Sequence, residues 1–469
     1  MKHRYFKRLA AAVALMLAAA VIMTGCLPGI LNSIYSEITN QSSSGDTGTK
    51  EGLEHDYYEA VNAQWMQSAV IGNGVPSINS FAEVSMQTTT DLLTILMELG
   101  DKAAVFDKGS DQRLLGDFYN SAIDYEDRDR DGLAPIMPFL DAIASVQDLS
   151  QLTDVLILMD NAGIGSFVTW DVSADLYDST ANALYIYTAY IGLPQKEYYH
   201  DTDAPTISVR SAYIRYLTKL FEQLPQYGDS AAQAAQNVLD FETALTESFW
   251  NAEQWNDVTN IYNPMTLDEI SAASGKFDAG HFYEQTRIAD AGTYIVACPQ
   301  YLQTLGELYT DQNLEQLKQY ATAMALSQAS DYLTSELEAA KTEFSNAVNG
   351  SAGSLLDIER AYNTVDNYMG ELLGHIYAER FFGDEAKNDV EQMVKLIIET
   401  YKRRIRSLDW MSTATKKQAI KKLDTMRVKI GFPDRWEDYS AVDIRSYDEG
   451  GSLYGNIMSL YTRLCDESL

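Results

Sequence analysis

Acidic residues are the first candidates for chemistry in this 469-residue chain, and one run of them has metal-binding spacing. Asp127 to Gly132 reads DRDRDG, the D-x-D-x-D-G opening of a calcium-binding loop. A complete EF-hand loop closes the coordination sphere with a bidentate carboxylate at its twelfth position. Pro138 occupies that position and Pro135 the ninth. We therefore interpret the run as an exposed acidic turn and predict no calcium site.

Zinc chemistry needs three or four converging His, Cys, Asp or Glu ligands. Neither HExxH nor HxxEH occurs. The histidines beyond the N-terminal leader are His55, His200, His281 and His375, and no two of them have i, i+4 spacing. GxSxG and phosphate-loop spacings are also absent. Acidic residues are too numerous for a catalytic carboxylate pair to be identified. The residues by themselves predict no catalytic residue and no metal ligand.

Composition and charge limit the function classes. Hydrophobic residues make up 46% of the chain and proline is scarce, which favours a large, mainly α-helical fold over short strands. The net charge of −32 repels polyanions, so we expect no nucleic acid partner.

The N-terminus has the pattern of an exported lipoprotein. A basic start precedes an apolar run from Leu9 to Met23, which is too short for an ordinary membrane span. Thr24-Gly25-Cys26 follows and resembles a bacterial lipobox, in which the leader is cut before the cysteine and the thiol is lipidated. We therefore expect a signal peptide over 1–25, lipidation at Cys26, and anchoring to the outer face of the cytoplasmic membrane at a bacterial cell surface.

Residues 26–52 are rich in Ser, Thr and Gly, which predicts a flexible tether, and one large folded domain is expected over 53–440. Apolar residues at helical spacing predict helices over 209–224 and 390–408, both with faces in the core. The segment 313–348 fits one very long helix or two. Short β-rich runs at 167–172 and 185–188 predict a minor β-hairpin. Cys298 and Cys465 fit either a disulfide or two unpaired thiols.

A basic stretch stands out in the acidic chain, with eleven Lys and Arg between residues 402 and 435. Thr415 and Gln418 have capping-box spacing, so they predict a helix start, and Gly431 followed by Pro433 predicts its end. Apolar residues hold one face of this helix, which leaves its lysines on a solvated face or paired with the surrounding acids.

Five segments, in order, resemble the N-terminal region of the neprilysin-type zinc metallopeptidases. They cover nearly all of 55–440. The first reads DYYEAVNAQW from Asp56, and the second reads FYNSAID from Phe118 followed by GLAPI from Gly132. The third is GLP from Gly192 followed by Tyr198-Tyr199, the fourth is Glu242 followed by Trp250 and YNPMTL from Tyr262, and the fifth runs from LDWM at Leu408 to KIGFPD at Lys429. The resemblance implies a helical domain that caps a thermolysin-like zinc domain and encloses a chamber for short peptides.

The resemblance also implies which functional residues to seek. Family members continue into a substrate-binding stretch, then HExxH with its general base, then the third zinc ligand, and none of these motifs occurs before Leu469. Residues 441–469 are expected to start the connection to a catalytic domain absent from this chain, and zinc is expected only in that domain. Some members also bind substrate with an Arg just before the Phe that corresponds to Phe81. This chain has Ser77 at the position of that Arg, so its substrate-binding residues stay unknown.

Two functions of different classes follow, with a ligand-free structural lipoprotein as a third. The first is the chamber-forming half of a surface-anchored metallopeptidase for oligopeptides, inactive alone. Its catalytic half is lost, encoded separately or missing from these 469 residues, and the face that would dock on it is hydrophobic and exposed. The second is a non-enzymatic surface lipoprotein that binds peptides or a partner protein.

Overall fold

The computed structural model describes residues 54–73, 75–286 and 294–468. The chain divides into two compact units, one ending at Asp91 and the other beginning at Leu92. Cys26 and the predicted signal peptide and tether lie outside the described residues. Within the described residues, no helix combines the length and apolar character needed to cross a membrane.

The first unit contains helix α1 (Tyr57–Ser68) and the start of helix α2 (Ser80–Lys102). The side chain of Asp56 caps α1 by accepting a hydrogen bond from the Glu59 amide at 2.9 Å. This cap stabilises the helix start because the first amides of a helix have no intrahelical partner.

The second unit is mainly α-helical, as the sequence predicts. It continues α2 and adds α3 (Asp111–Ile123), α4 (Tyr125–Asp131), α5 (Met137–Ser145), α6 (Leu149–Asn161), α7 (Glu197–His200), α8 (Ala204–Glu222), α9 (Ala231–Thr246), α10 (Ala252–Trp255), α11 (Val258–Ile261), α12 (Leu267–Ala273), α13 (Ala279–Gln285), α14 (Pro299–Leu308), α15 (Leu314–Ala329), α16 (Ser335–Asn349), α17 (Asp357–Tyr377), α18 (Gly383–Ser407), α19 (Thr413–Asp424) and α20 (Leu453–Ser468). The 313–348 segment is thus two helices, divided by a 3-10 turn at Ser330–Tyr332.

A small sheet is inserted among the helices. Its strands are β1 (Trp170–Ala174), β2 (Asn182–Ile186), β3 (Pro264–Met265) and β4 (Tyr294–Val296), in the order β1-β2-β4-β3. β1 and β2 form the predicted antiparallel hairpin, with Trp170 opposite Ile186. β4 pairs parallel to β2 and antiparallel to β3.

Two hydrophobic clusters form the core of the second unit. The larger cluster packs α5, α6, α8, α9 and α13 to α16 around the sheet. Near its centre, the ring of Phe167 packs edge-on against those of Phe241 and Tyr309. The smaller cluster joins the end of α2 to α3, α17 and α20 through buried side chains such as Phe118 and Leu373.

Arg128 on α4 connects the two clusters. Its guanidinium is buried and donates to the carbonyls of Leu333 at 2.9 Å and Asp331 at 2.8 Å. It also donates to a carboxylate oxygen of Glu338 at 3.2 Å, while Arg360 pairs with the other oxygen at 2.9 Å. These contacts fix α4 and α17 to the start of α16, because a planar guanidinium fixes the direction of every hydrogen bond it donates.

Helix α18 differs from the prediction of a core face over 390–408. No residue of this helix is buried, and Met393, Leu396, Ile397 and Tyr401 are each more than half exposed. We call these four residues the apolar flank. The periodicity correctly predicted the helix. The predicted burial of its apolar face is wrong for this chain, because no described element covers the flank.

Helix α19 also begins and ends at residues other than those predicted. Ser412, rather than Thr415, is the N-cap, and its hydroxyl accepts from the Thr415 amide at 3.1 Å. The helix ends at Asp424, seven residues before Gly431. Gly431 does adopt a left-handed φ of 69°, but in a bend outside the helix.

Candidate functional site

Glu242 is the centre of a buried polar cluster. Its Oε1 accepts from the Gly192 amide at 3.2 Å and from Tyr213 Oη at 2.9 Å, and its Oε2 accepts from Tyr199 Oη at 2.9 Å. The cluster therefore joins the G-L-P segment, the Tyr198-Tyr199 pair and the glutamate of α9, which are far apart in sequence. Resemblance pointed to each of these segments, and the structure brings them together.

The geometry of this cluster fits a structural role. Glu242 has no exposed surface, and both its carboxylate oxygens accept hydrogen bonds. Burial raises the pKa of Glu242 from its ordinary 4.5 to about 7, while the hydrogen bonds from Tyr199, Tyr213 and Gly192 hold the pKa down. A general base must reach a proton of its substrate, so this carboxylate is not placed for catalysis.

The stability of the chain is expected to depend on the ionisation of Glu242. Because its folded pKa of about 7 exceeds the ordinary 4.5, its contribution is complete below pH 4.5 and is lost as the pH rises through 7. From pH 5 to pH 8 the free energy of unfolding should fall by about 2 to 3 kcal/mol from this group. Urea unfolding across that range should show a flatter profile for Glu242→Gln than for the wild type, and equal slopes would contradict the assignment.

The Trp250 and YNPMTL segments also have structural roles. Trp250 Nε1 donates to the Ala297 carbonyl at 2.9 Å, and Asn263 Nδ2 donates to the Val296 carbonyl at 2.9 Å. Thr266 and Glu269 form a capping box at the start of α12. These contacts hold the β3 region against β4 and its following residues.

The histidines have separate partners. The ring nitrogens of His200, His281 and His375 lie 3.6, 2.8 and 3.6 Å from carboxylate oxygens of Glu247, Asp154 and Glu379, respectively, and His55 lies 3.7 Å from Glu54. Within the part of the chain that the structure describes, no three His, Cys, Asp or Glu side chains are grouped to hold a metal ion.

The DRDRDG run is helical, so its interpretation as an exposed acidic turn is wrong. It lies on α4, and Gly132 ends that helix with a φ of 57°. Asp129 accepts hydrogen bonds from the Ser335 amide at 2.7 Å and hydroxyl at 2.8 Å, whereas Asp127 pairs with Arg130. These two carboxylates thus have different partners within the protein.

Cys298 is a buried free thiol whose sulfur lies 3.5 Å from the Ser248 carbonyl oxygen. Burial raises the pKa of this thiol to about 11, so it is protonated and a poor nucleophile near neutral pH. The side chain of Cys465 lies outside the described residues.

Two exposed features can contact a ligand or partner. Phe81, at the start of α2, is 85% exposed, and Ser77 precedes that helix. The apolar flank of α18 presents four large side chains on one helix, with Leu396 at 69% exposure. Contiguous exposed apolar side chains are typical of interfaces. Sequence reasoning missed this site although its periodicity was visible, because the pattern does not say which neighbour covers a face.

A cavity of about 430 Å³ lies beside the G-L-P segment. Gly192, Pro194 and the partly exposed Tyr190 line one wall, and Phe344 and Val348 of α16 line the other. Its volume is in the range of small-ligand pockets.

Three comparisons relate the chain to known proteins. The model described as peptidase family M13 matches residues 53–433. A neutral endopeptidase of Lactobacillus helveticus is 27% identical over 416 residues, which are 87% of this chain and 63% of that protein. A zinc metalloprotease of Mycobacterium tuberculosis, solved with an inhibitor, is 26% identical with a TM-score of 0.80, covering 90% of this chain and 64% of that one.

A solved protein from Lactobacillus rhamnosis, PepO, has the same fold at 20% identity, with a TM-score of 0.78 over 89% of this chain and 65% of that chain. This chain therefore spans less than two thirds of the length of each of these three proteins.

Proposed function

Because the chain belongs to peptidase family M13, we propose that residues 53–433 form the helical, substrate-enclosing part of a zinc metallopeptidase that cleaves oligopeptides. The resemblance drawn from the five sequence segments is confirmed at the level of the family. In this proposal the zinc ligands and the general base come from a catalytic domain outside residues 53–433, since no HExxH motif occurs in residues 1–469. The chain alone is then inactive.

The observation that carries this proposal is the apolar flank of α18. Met393, Ile397 and Tyr401 follow one another at helical spacing yet are exposed, in a helix with no buried residue. Burying such side chains is worth about 25 cal/mol per Å² of apolar surface, so a complementary partner gains substantially by covering them. The occupant we propose is the catalytic zinc domain.

We expect the purified chain, produced from residue 27, to hydrolyse no oligopeptide with or without added zinc, because it supplies no zinc-binding motif. The measurement is release of fluorescence from quenched oligopeptides. Zinc-dependent turnover that co-purifies with the chain and disappears with a chelator would overturn the assignment of catalysis to a separate domain.

The docking part of the proposal has its own test. The chain is mixed with the part of the M. tuberculosis zinc metalloprotease that lies outside its matched region, and association is measured by analytical ultracentrifugation. Leu396→Asp with Tyr401→Asp should abolish association without unfolding the chain, since both side chains are exposed. Leu158→Asp, at an exposed apolar residue of α6, is the matched control. Association that survives the flank substitutions would exclude the flank as the docking face.

Peptide binding without catalysis is the second candidate, and the cavity beside Gly192 supports it. Isothermal titration of the chain with the same oligopeptides separates the two functions. Saturable binding by the chain alone, unaffected by the flank substitutions, favours a binding lipoprotein.

We also propose that the protein is anchored by a lipid on Cys26 at the outer face of the cytoplasmic membrane of a bacterium. The lipobox-like Thr24-Gly25-Cys26 after an apolar run supports this location. Expression in a bacterium should give a detergent-phase protein, and Cys26→Ser should move it to the aqueous phase. An unchanged distribution would contradict lipidation at Cys26.

A further inference from the structure

A cavity of about 660 Å³ between α18 and α19 has an unusual concentration of positive charge. Arg406 on α18 and Lys416, Lys417 and Lys421 on α19 line it, together with Ile420 and Asp424. We call this the basic cavity. It lies in the stretch whose lysines were predicted to lie on a solvated face or to pair with surrounding acids, and neither the fold nor the proposed peptidase function explains it.

The one carboxylate at the basic cavity is already paired. Asp424 lies 2.7 Å from Lys402 Nζ, and Lys402 also contacts Glu399 at 2.7 Å. Both contacts raise the pKa of Lys402, so this lysine stays charged and keeps Asp424 engaged. Among the described residues, no acidic side chain lies within ion-pair distance of the four lining cations.

A second cavity in the same chain shows the usual arrangement. It measures about 500 Å³ and is also lined by cations: Lys108, Arg113 and Arg445. Each of these three is paired with an acid, Lys108 with Glu449 at 2.8 Å, Arg113 with Asp117 and Glu449, and Arg445 with Asp443. The basic cavity therefore differs from this second cavity, because among the described residues its four cations have no acidic partner.

The cavity is partly ordered before any ligand enters. Lys416 Nζ donates to the Arg406 carbonyl at 3.1 Å, which ties the first turn of α19 to the end of α18. The Ser412 cap fixes the start of α19. Pre-ordered donors lose less entropy on binding an anion.

The basic cavity is separate from the apolar flank. Ile397 and Arg406 are nine residues apart on α18, which at about 3.6 residues per turn places them on opposite sides of the helix. Leu396 is closer to Arg406 in angle but lies about 15 Å from it along the helix axis. A domain docked on the apolar flank therefore leaves room for a ligand at the basic cavity, and this inference does not depend on the proposed function.

We propose that the basic cavity binds a single phosphate group, presented by a phospholipid headgroup or by a small phosphate ester. Phosphate offers several acceptor oxygens to Lys and Arg donors, and the guanidinium of an Arg can contact two of them at once. The acidic remainder of the chain excludes long polyanions such as nucleic acid, whose many phosphates it repels. A compact phosphate group contacts the cavity without approaching the acidic surface.

The first test measures the reactivity of individual lysines with an acetylating reagent by mass spectrometry. The chain is produced from residue 27, which leaves every described residue in place. Inorganic phosphate or glycerol 3-phosphate should protect Lys416, Lys417 and Lys421 in a saturable way. Chloride at matched ionic strength should not protect them, and the exposed Lys219 and Lys276 report general screening.

A double variant tests the assignment to these side chains. Lys417→Gln with Lys421→Gln should raise the phosphate concentration for half-protection of Lys416 at least tenfold, because each removes a charge-assisted donor. Lys219→Gln with Lys276→Gln makes the same change in net charge elsewhere and should leave protection unchanged. Circular dichroism checks folding, which exposed lysines should not alter.

Vesicles distinguish the two sources of phosphate. Co-sedimentation with phosphatidylglycerol but not phosphatidylcholine vesicles, lost in the Lys417 and Lys421 double variant, identifies a lipid headgroup. Protection by glycerol 3-phosphate without co-sedimentation identifies a small ester. The proposal would be overturned if protection followed ionic strength alone or were equal in both double variants. It would also be overturned if an acidic peptide protected these lysines more strongly than phosphate does.

Discussion

Arg128→Met is expected to lower the free energy of unfolding by about 3 to 5 kcal/mol, the range seen when one member of a buried ion pair is removed. The guanidinium of Arg128 donates to the carbonyls of Leu333, Asp331 and Ala122 as well as to Glu338. Methionine fills much of the same volume but leaves these acceptors without their donor. Glu338 keeps Arg360 and Tyr125 as partners. Urea unfolding at pH 7 measures the loss.

The control lies on the same short helix. Arg130 is 61% exposed and pairs with Asp127, so Arg130→Met should change stability by no more than about 0.5 kcal/mol. Arg128→Lys should also be strongly destabilising, since a lysine cannot direct donors to four acceptors. If Arg128→Met costs no more than Arg130→Met, the connection between the two core clusters does not depend on this residue.

Gly192→Ala is expected to destabilise the chain by about 3 kcal/mol or more, which is at the upper end for overpacking. A Cβ on Gly192 would lie 2.0 Å from Tyr213 Oη and 2.2 Å from its Cζ. Tyr213 is buried and cannot swing into solvent, so its ring must shift and release Glu242. The Glu242 carboxylate then loses a hydrogen bond in a buried site, which adds to the steric cost.

Gly374→Ala is the matched control because it should raise the free energy of unfolding, whereas Gly192→Ala should lower it. Gly374 lies within α17, and an added Cβ there meets no atom within 4 Å. Replacing a helical glycine by alanine in open space stabilises by about 0.5 to 1 kcal/mol.

Tyr213→Phe combined with Gly192→Ala should cost less than the sum of the two single changes, since both disturb the same hydrogen bond. Strictly additive costs would show that the two residues are uncoupled.

The helices were largely predictable, since their signals are local. The 209–224 stripe ends before Pro225 in the sequence and α8 ends at Glu222 in the structure. The β1–β2 hairpin was predictable for the same reason. β3 and β4 were not, because runs of two and three residues carry no readable period and their pairing joins distant parts of the chain.

The candidate sites were harder to predict, and each for its own reason. Glu242 is one of 67 acidic residues, and only the fold shows that Tyr199, Tyr213 and Gly192 meet it. The apolar flank has the pattern of a core face, and a pattern cannot distinguish a covered face from an exposed one. The basic stretch was visible in the sequence, but which of its cations pair with acids depends on the packing of α18 on α19.

The parallel pairing of β2 with β4 constrains how the chain folds. Leu184 lies opposite Tyr294, about 110 residues further along, with helices α7 to α13 between them. Closing a loop of this length costs chain entropy before the contact is gained. The β1–β2 hairpin can form early, but the edge of β2 that pairs with β4 stays open until residues near 294 have been synthesised. Until then this edge is open to non-native strand pairing in the nascent chain.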